Sequence, residues 1–124
     1  MTRGSFSLGR AFACAARGIA DTAHERNFRI ELAFLVLCVV LGLAFGISVV
    51  EWLACLICFG LVLGGECLNS AVEAVVDLAC PEQAELARRA KDAAAGGVLV
   101  FSLASLAVGL VIFVPRIAAL FGLI

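Results

Sequence analysis

Charge is scarce in this chain. Of its 124 residues only 15% are Asp, Glu, Lys or Arg, whereas 64% are apolar. A water-soluble domain of this size needs far more polar surface, so composition alone assigns the protein to a bilayer. The net charge of −1 offers no basic surplus, which argues against a nucleic-acid partner. The amino terminus, Met1 to Arg10, has no apolar core followed by a small-residue cleavage site, so no secretory leader is expected. The length fits one domain spanning residues 1–124.

Nucleotide and metal signatures are also missing. There is no G-x-x-x-x-G-K-[ST] and no G-x-G-x-x-G, so neither familiar phosphate-cradling loop is present. Cys55 and Cys58 form a C-x-x-C, but no second pair or suitably spaced histidine accompanies them. The six cysteines therefore read as small hydrophobes within helices. Gly42 with Gly46, and Gly60 with Gly64, make G-x-x-x-G spacings in apolar runs, where the motif serves close helix packing. The lone histidine, His24, reads as interfacial.

What the chain does have is long apolar runs. Residues 32–50 lack charge until Glu51 and are long enough to span a hydrocarbon core as a helix. A second span is expected over 52–79 and a third over 93–114, with Pro115 closing it. Residues 5–31 interleave Phe6, Leu8, Phe12, Ile19, Phe28 and Ile30 with Arg10, Arg17, Arg26 and Arg29. That pattern predicts an amphipathic helix, or helix pair, on the membrane surface. The expected fold is an all-α membrane protein with three transmembrane helices and an N-terminal amphipathic surface helix. Basic residues decide its orientation. Arg3, Arg10, Arg17, Arg26 and Arg29 precede the first span, and Arg88, Arg89 and Lys91 lie between the second and third. The amino terminus and that second loop are expected in the cytoplasm, with the carboxyl terminus outside.

The second span holds the decisive residues. Its apolar part, Trp52 to Gly65, gives only about 21 Å of helix against a core roughly 30 Å thick. Glu66 is thereby drawn into the membrane edge, where an ionisable residue is a functional candidate. At about 100° per residue, Glu66, Asn69, Glu73 and Asp77 share one helix face over about 16 Å. A lipid hydroxyl fits the depth of Glu66, and a water-soluble nucleotide fits that of Glu73 and Asp77. Phosphoryl transfer needs metal-bound phosphates, positive charge and a group that orients and deprotonates the attacking hydroxyl. Mg²⁺ prefers carboxylate oxygens, phosphates and water, which suits Glu73 paired with Glu25 from the surface segment. Lys91 would bring a cation to phosphates and Asp92 an acceptor, although a helix-end charge pair explains these two equally well. A proton or ion carrier using Glu66 and Glu73, and a purely structural subunit, are the competing readings. The carrier needs acids along a path across the bilayer, whereas these gather at one end.

Three blocks carry a family resemblance: Glu25-Arg-Asn-Phe-Arg-Ile-Glu31, Glu66-Cys-Leu-Asn-Ser-Ala-Val-Glu-Ala-Val-Val-Asp77 and Ala90-Lys-Asp-Ala-Ala-Ala-Gly-Gly-Val-Leu99. The chain resembles the prokaryotic diacylglycerol kinase and undecaprenol kinase family over nearly its whole length. The resemblance implies an ATP- and Mg-dependent lipid kinase of the bacterial cell membrane, a homotrimer with active sites between protomers. It implies Glu66 as general base, Glu25 and Glu73 as metal ligands, and nucleotide contacts from Asn69, Lys91 and Asp92. Glu31 and Asp77 match further polar positions, Asp77 on the nucleotide side, and Arg10 and Arg17 imply a nucleotide or lipid role. The short amino-terminal arm and the terminal Ile-Phe-Val-Pro-Arg favour undecaprenol over diacylglycerol as substrate. Two departures stand out. Glu31 replaces a frequent histidine of polyprenol-type members, and Gly64-Gly65 stand where larger residues are usual.

Overall fold

The computed structural model describes residues 7–124, and among them every regular element is a helix. The elements are α1 (Leu8–Thr22), α2 (Arg26–Phe45), α3 (Val49–Ala79) and α4 (Glu85–Leu120). The last three are long and apolar enough to cross a membrane. The protein is therefore an all-α membrane protein with an additional N-terminal helix, as its composition implies. The expectations placed on Arg3 and on residues 5 and 6 lie outside the described residues.

Helix α1 opens at Ser7, whose hydroxyl accepts the Arg10 N–H at 3.3 Å. Leu8, Phe12 and Ile19 fall on one of its faces, about 180° from Arg10 and Arg17. All five are exposed, an arrangement that suits a helix lying in the bilayer interface. The surface segment does not run unbroken to residue 31. The Thr22 hydroxyl donates to the Gly18 carbonyl at 2.9 Å, a local bond that competes with continued helix. A turn through Ala23, His24 and Glu25 follows, and residues 26–31 already belong to α2.

Helix α2 stops at Phe45 rather than continuing to residue 50. Gly46 adopts φ 60° and ψ 51°, a left-handed cap that glycine enters without steric cost. Gly46 thus ends a helix instead of packing one, while Gly42 does pack: the Trp52 ring occupies the space its missing side chain leaves. Gly60 and Gly64 meet no neighbour within this single chain. Helix α3 begins three residues before Trp52 because Ser48 and Glu51 form a capping box. The Ser48 hydroxyl accepts the Glu51 N–H, and the Glu51 carboxylate accepts the Ser48 N–H at 2.8 Å.

Helix α4 starts at Glu85, eight residues before its apolar stretch, and passes through Pro115 to Leu120. Proline does not close it. In lipid, any exit from helix exposes backbone groups with no water to receive them, so a lost N–H near a helix end is tolerated. Arg116 steadies this region by donating to the Ile112 carbonyl at 2.7 Å and to Glu51 of α3 at 2.9 Å.

The antiparallel α3–α4 pair forms the body of the molecule, with α2 and α1 against α3. The buried residues of α3 are Cys55, Val62, Gly65, Glu66 and Asn69, a stripe of near-heptad spacing. Ile47, Cys55, Ile112 and Phe113 form an apolar cluster at the end near the α2–α3 turn. The polar members of the stripe lie toward the opposite end. All six cysteines are free, and Cys55 sits inside the apolar cluster.

Candidate active site

Glu66 lies seventeen residues into α3, about 26 Å from its start. For a core of roughly 30 Å, that depth is the membrane edge. It is the most deeply buried large side chain, at 2% exposure, and Asn69 one turn on is at 8%. The Oε2 of Glu66 and the Oδ1 of Asn69 have no hydrogen-bond partner. Buried acceptors that the rest of the chain leaves open are uncommon, and a catalytic role is one of the reasons a folded chain keeps them.

The acidic row continues outward along the same face. The Asn69 amide donates to Glu73 Oε1 at 3.3 Å, so Asn69 orients Glu73 while its own oxygen stays open. Lys91 of α4 donates to Asp77, and the pair bridges the two helices at their charged ends. Lys91 stands before the apolar stretch of α4. The Asp77 hydrogen bond raises its pKa above the ordinary lysine value, so the ammonium is charged at neutral pH with two further N–H donors free. Asp92 is held by Arg88, which also grips Glu85 at 2.6 Å. The helix-end pair expected of Lys91 with Asp92 is replaced by two separate pairings, Asp92 with Arg88 one turn away on α4 and Lys91 with Asp77 across the helices. A water-facing groove of about 560 Å³ runs between these helix ends, with Asp77, Glu82, Arg88 and Lys91 on its walls.

Glu25 and Glu31 reach the same neighbourhood from α2. Glu25 is half-buried at the start of that helix and makes no side-chain cap. Glu31 accepts the Ser102 hydroxyl of α4 at 3.0 Å. The charges bearing on Glu66 come, in decreasing effect, from Glu31, Glu25 and Glu73. Four carboxylates so gathered repel one another unless a proton or a cation intervenes. Among the described residues no group of three or more His, Cys, Asp or Glu closes around one point. Mg²⁺ keeps waters and phosphate oxygens in its shell and needs only one or two carboxylates from a protein; Glu25 and Glu73 are two such carboxylates in the neighbourhood of Glu66.

The sequence-based set therefore divides. Glu66, Asn69, Glu73 and Asp77 follow one another along α3, with Asn69 bonded to Glu73 and Lys91 of α4 to Asp77, and Glu25 approaches from α2. Asp92 is engaged with Arg88. Arg10 and Arg17 lie on the exposed side of α1 without a hydrogen bond to any of these acids, and Arg17 leans on Cys14 at 3.2 Å. Ser102, Ser105 and Phe101 escaped the sequence reading. The two serines interrupt an apolar run, which was a usable signal, whereas Phe101 carried none.

Deeper in the membrane, an apolar cavity of about 370 Å³ opens between α2, α3 and α4. Glu31 and Ser102 stand among its walls, together with Cys38, Phe59, Val62 and Leu106. Ser105 also lines it, and its hydroxyl is buried without a partner.

Residues 13–113 match the family model described as prokaryotic diacylglycerol kinase. The undecaprenol kinase of Bacillus subtilis (strain 168) is 39% identical over 109 residues, covering 87% of this chain and 89% of that protein. A diacylglycerol kinase of Synechocystis sp. is 38% identical over 104 residues, covering 79% of this chain but 57% of that protein. With a family match across most of its length and acids gathered at the depth of a lipid headgroup, the chain belongs to the prokaryotic diacylglycerol kinase family of membrane lipid kinases.

Proposed function

We propose that this lipid kinase transfers the γ-phosphate of ATP, in a Mg-dependent reaction, to the hydroxyl of undecaprenol, with diacylglycerol as the next-best acceptor. The observation that carries the reading is Glu66, a buried carboxylate with an open oxygen at headgroup depth, one turn along α3 from Val62 and Leu63 of the cavity wall. In this role Glu66 Oε2 accepts the proton of the lipid hydroxyl as its oxygen attacks the γ-phosphorus. Asn69 holds Glu73 in place and turns its free oxygen toward the nucleotide. Lys91 neutralises phosphate charge with its two free donors, while Asp77 fixes its position. Asp92 and the groove beside Asp77 offer acceptors and space for the nucleotide. Arg10 and Arg17 of α1 supply further contacts to nucleotide or lipid. Glu25 and Glu73 would hold Mg²⁺, which supplies charge neutralisation at the transferred phosphoryl group.

The cavity suits a lipid tail near its alcohol end. At about 370 Å³ it takes only the first units of a polyprenyl chain, and the rest lies among membrane lipids. The relative named undecaprenol kinase matches this chain over nearly its full length, which supports the polyprenol as acceptor. The working form is a homotrimer in the bacterial cell membrane, with the amino terminus and the α3–α4 loop in the cytoplasm. The concentration of basic residues at that end supports this orientation.

The test is a transfer assay on purified protein with labelled ATP, offering undecaprenol and diacylglycerol side by side. Faster labelling of undecaprenol, abolished by chelating divalent metal, is expected. Equal labelling of both lipids overturns the preference, and labelling of neither overturns the reaction.

A further inference from the structure

Gly65 immediately precedes Glu66, and it has no room for a side chain. A Cβ built there would lie 2.8 Å from Cδ2 and 3.3 Å from Cε2 of Phe101 on α4, with a Val98 methyl at 3.8 Å. Its neighbour Gly64 meets nothing within 4 Å. Of the two glycines, one is therefore a notch and the other is not. The Phe101 ring fills that notch beside the most deeply buried acid of the chain. The pairing also accounts for a departure noted in the sequence, a small residue where a larger one is usual: the ring from α4 takes up the volume that α3 gives away.

We propose that Gly65 and Phe101 are a paired positioning device that keeps water away from the Glu66 carboxylate. The proposal rests on Glu66 acting as the proton acceptor. A kinase whose base activates any hydroxyl in reach must exclude water, because water is an acceptor too. In the leak reaction, a water oxygen bonds to the γ-phosphorus and the bond to the β–γ bridging oxygen breaks. ADP departs, Glu66 receives the water proton, and inorganic phosphate is released. The ring of Phe101 packs on the α3 backbone at the residue just before Glu66. Neither residue touches the reacting atoms. Both act through the carboxylate beside them.

The experiment measures lipid phosphorylation, phosphate release from ATP without lipid alcohol, and the unfolding midpoint for the full chain in lipid–detergent micelles. Phe101→Ala should lower kcat for lipid transfer with little change in either KM, and raise lipid-independent phosphate release several-fold. Phe101→Leu should stay close to the parent. Gly65→Ala should lose kcat because the ring is displaced, and Gly65→Ala combined with Phe101→Leu should recover it. Adding Glu66→Gln to Phe101→Ala should abolish the leak. An unchanged ratio of phosphate release to lipid transfer in Phe101→Ala, or no recovery in the double variant, overturns the proposal. Should Phe101→Ala fail to fold, the Gly65→Ala pair reads the same ratio. Lipid transfer surviving in Glu66→Gln alone would instead remove the base assignment on which the proposal stands.

Discussion

Replacing Glu66 with glutamine separates chemistry from architecture at one position. The side chains are nearly the same size, so the packed stripe of α3 keeps its shape. The amide presents a donor, and an oxygen too weakly basic to take a proton, where the carboxylate has an open acceptor. Loss of a general base costs about 10²- to 10⁴-fold in rate, or about 3–5 kcal/mol of transition-state stabilisation. The same change removes one negative charge from a group that includes Glu25, Glu31 and Glu73. Glu66→Gln should therefore unfold at a higher temperature than the parent while its kcat for lipid transfer collapses. ATP affinity, read by equilibrium binding, should stay near the parental value because the nucleotide contacts lie farther out along α3 and on α4. Labelled phosphate transfer and a thermal unfolding curve on the same preparation provide both readings. A variant that keeps more than about a tenth of the rate would show that another group takes the proton.

Glu73→Gln weakens one proposed metal ligand, and a Mg²⁺ titration of activity should shift to several-fold higher concentrations; an unmoved titration removes Glu73 from the metal site. Ser102→Ala takes away the donor that holds Glu31 at the cavity wall, so the KM for lipid should rise with kcat little changed, as steady-state kinetics over lipid concentration would reveal. Gly42→Ala places a Cβ 2.6 and 2.8 Å from two Trp52 ring carbons. Such overpacking costs about 1–3 kcal/mol, and a lower unfolding midpoint in detergent is the measurable result. Glu51→Ala removes the acceptor of the Ser48 N–H and the bond to Arg116 together; a lower unfolding midpoint is expected, and an unchanged midpoint would contradict it.

The three spans and the row from Glu66 to Asp77 were legible because apolar run length and helical spacing are local properties. Asn69 and Glu73, four apart, do bond as that spacing allows. Local reasoning failed at Pro115, since a rule drawn from aqueous helices overstates what proline does where leaving the helix has its own cost. It also gave Gly46 a packing role, although a single residue with positive φ ends α2 there. The Ser48-Val-Val-Glu51 box was readable as S-x-x-E and would have placed the start of α3. By contrast, Ser102 with Glu31, Arg116 with Glu51 and Phe101 with Gly65 join residues far apart in the chain. No periodicity within one helix announces such pairs, because they depend on how α4 is seated against its neighbours.

The α3–α4 hairpin is fastened near both extremities, by Asp77 with Lys91 and by Glu51 with Arg116. Two fasteners so widely separated oppose slippage of one rod along the other, since a single-residue step of about 1.5 Å would disturb both at once. In a thicker or thinner bilayer the hairpin must then tilt as a unit or reshape the surrounding lipid. The vertical offset between the alcohol's seat and the phosphate's seat is thus a ruler carried by the protein itself, indifferent to the sheet of lipid in which it floats.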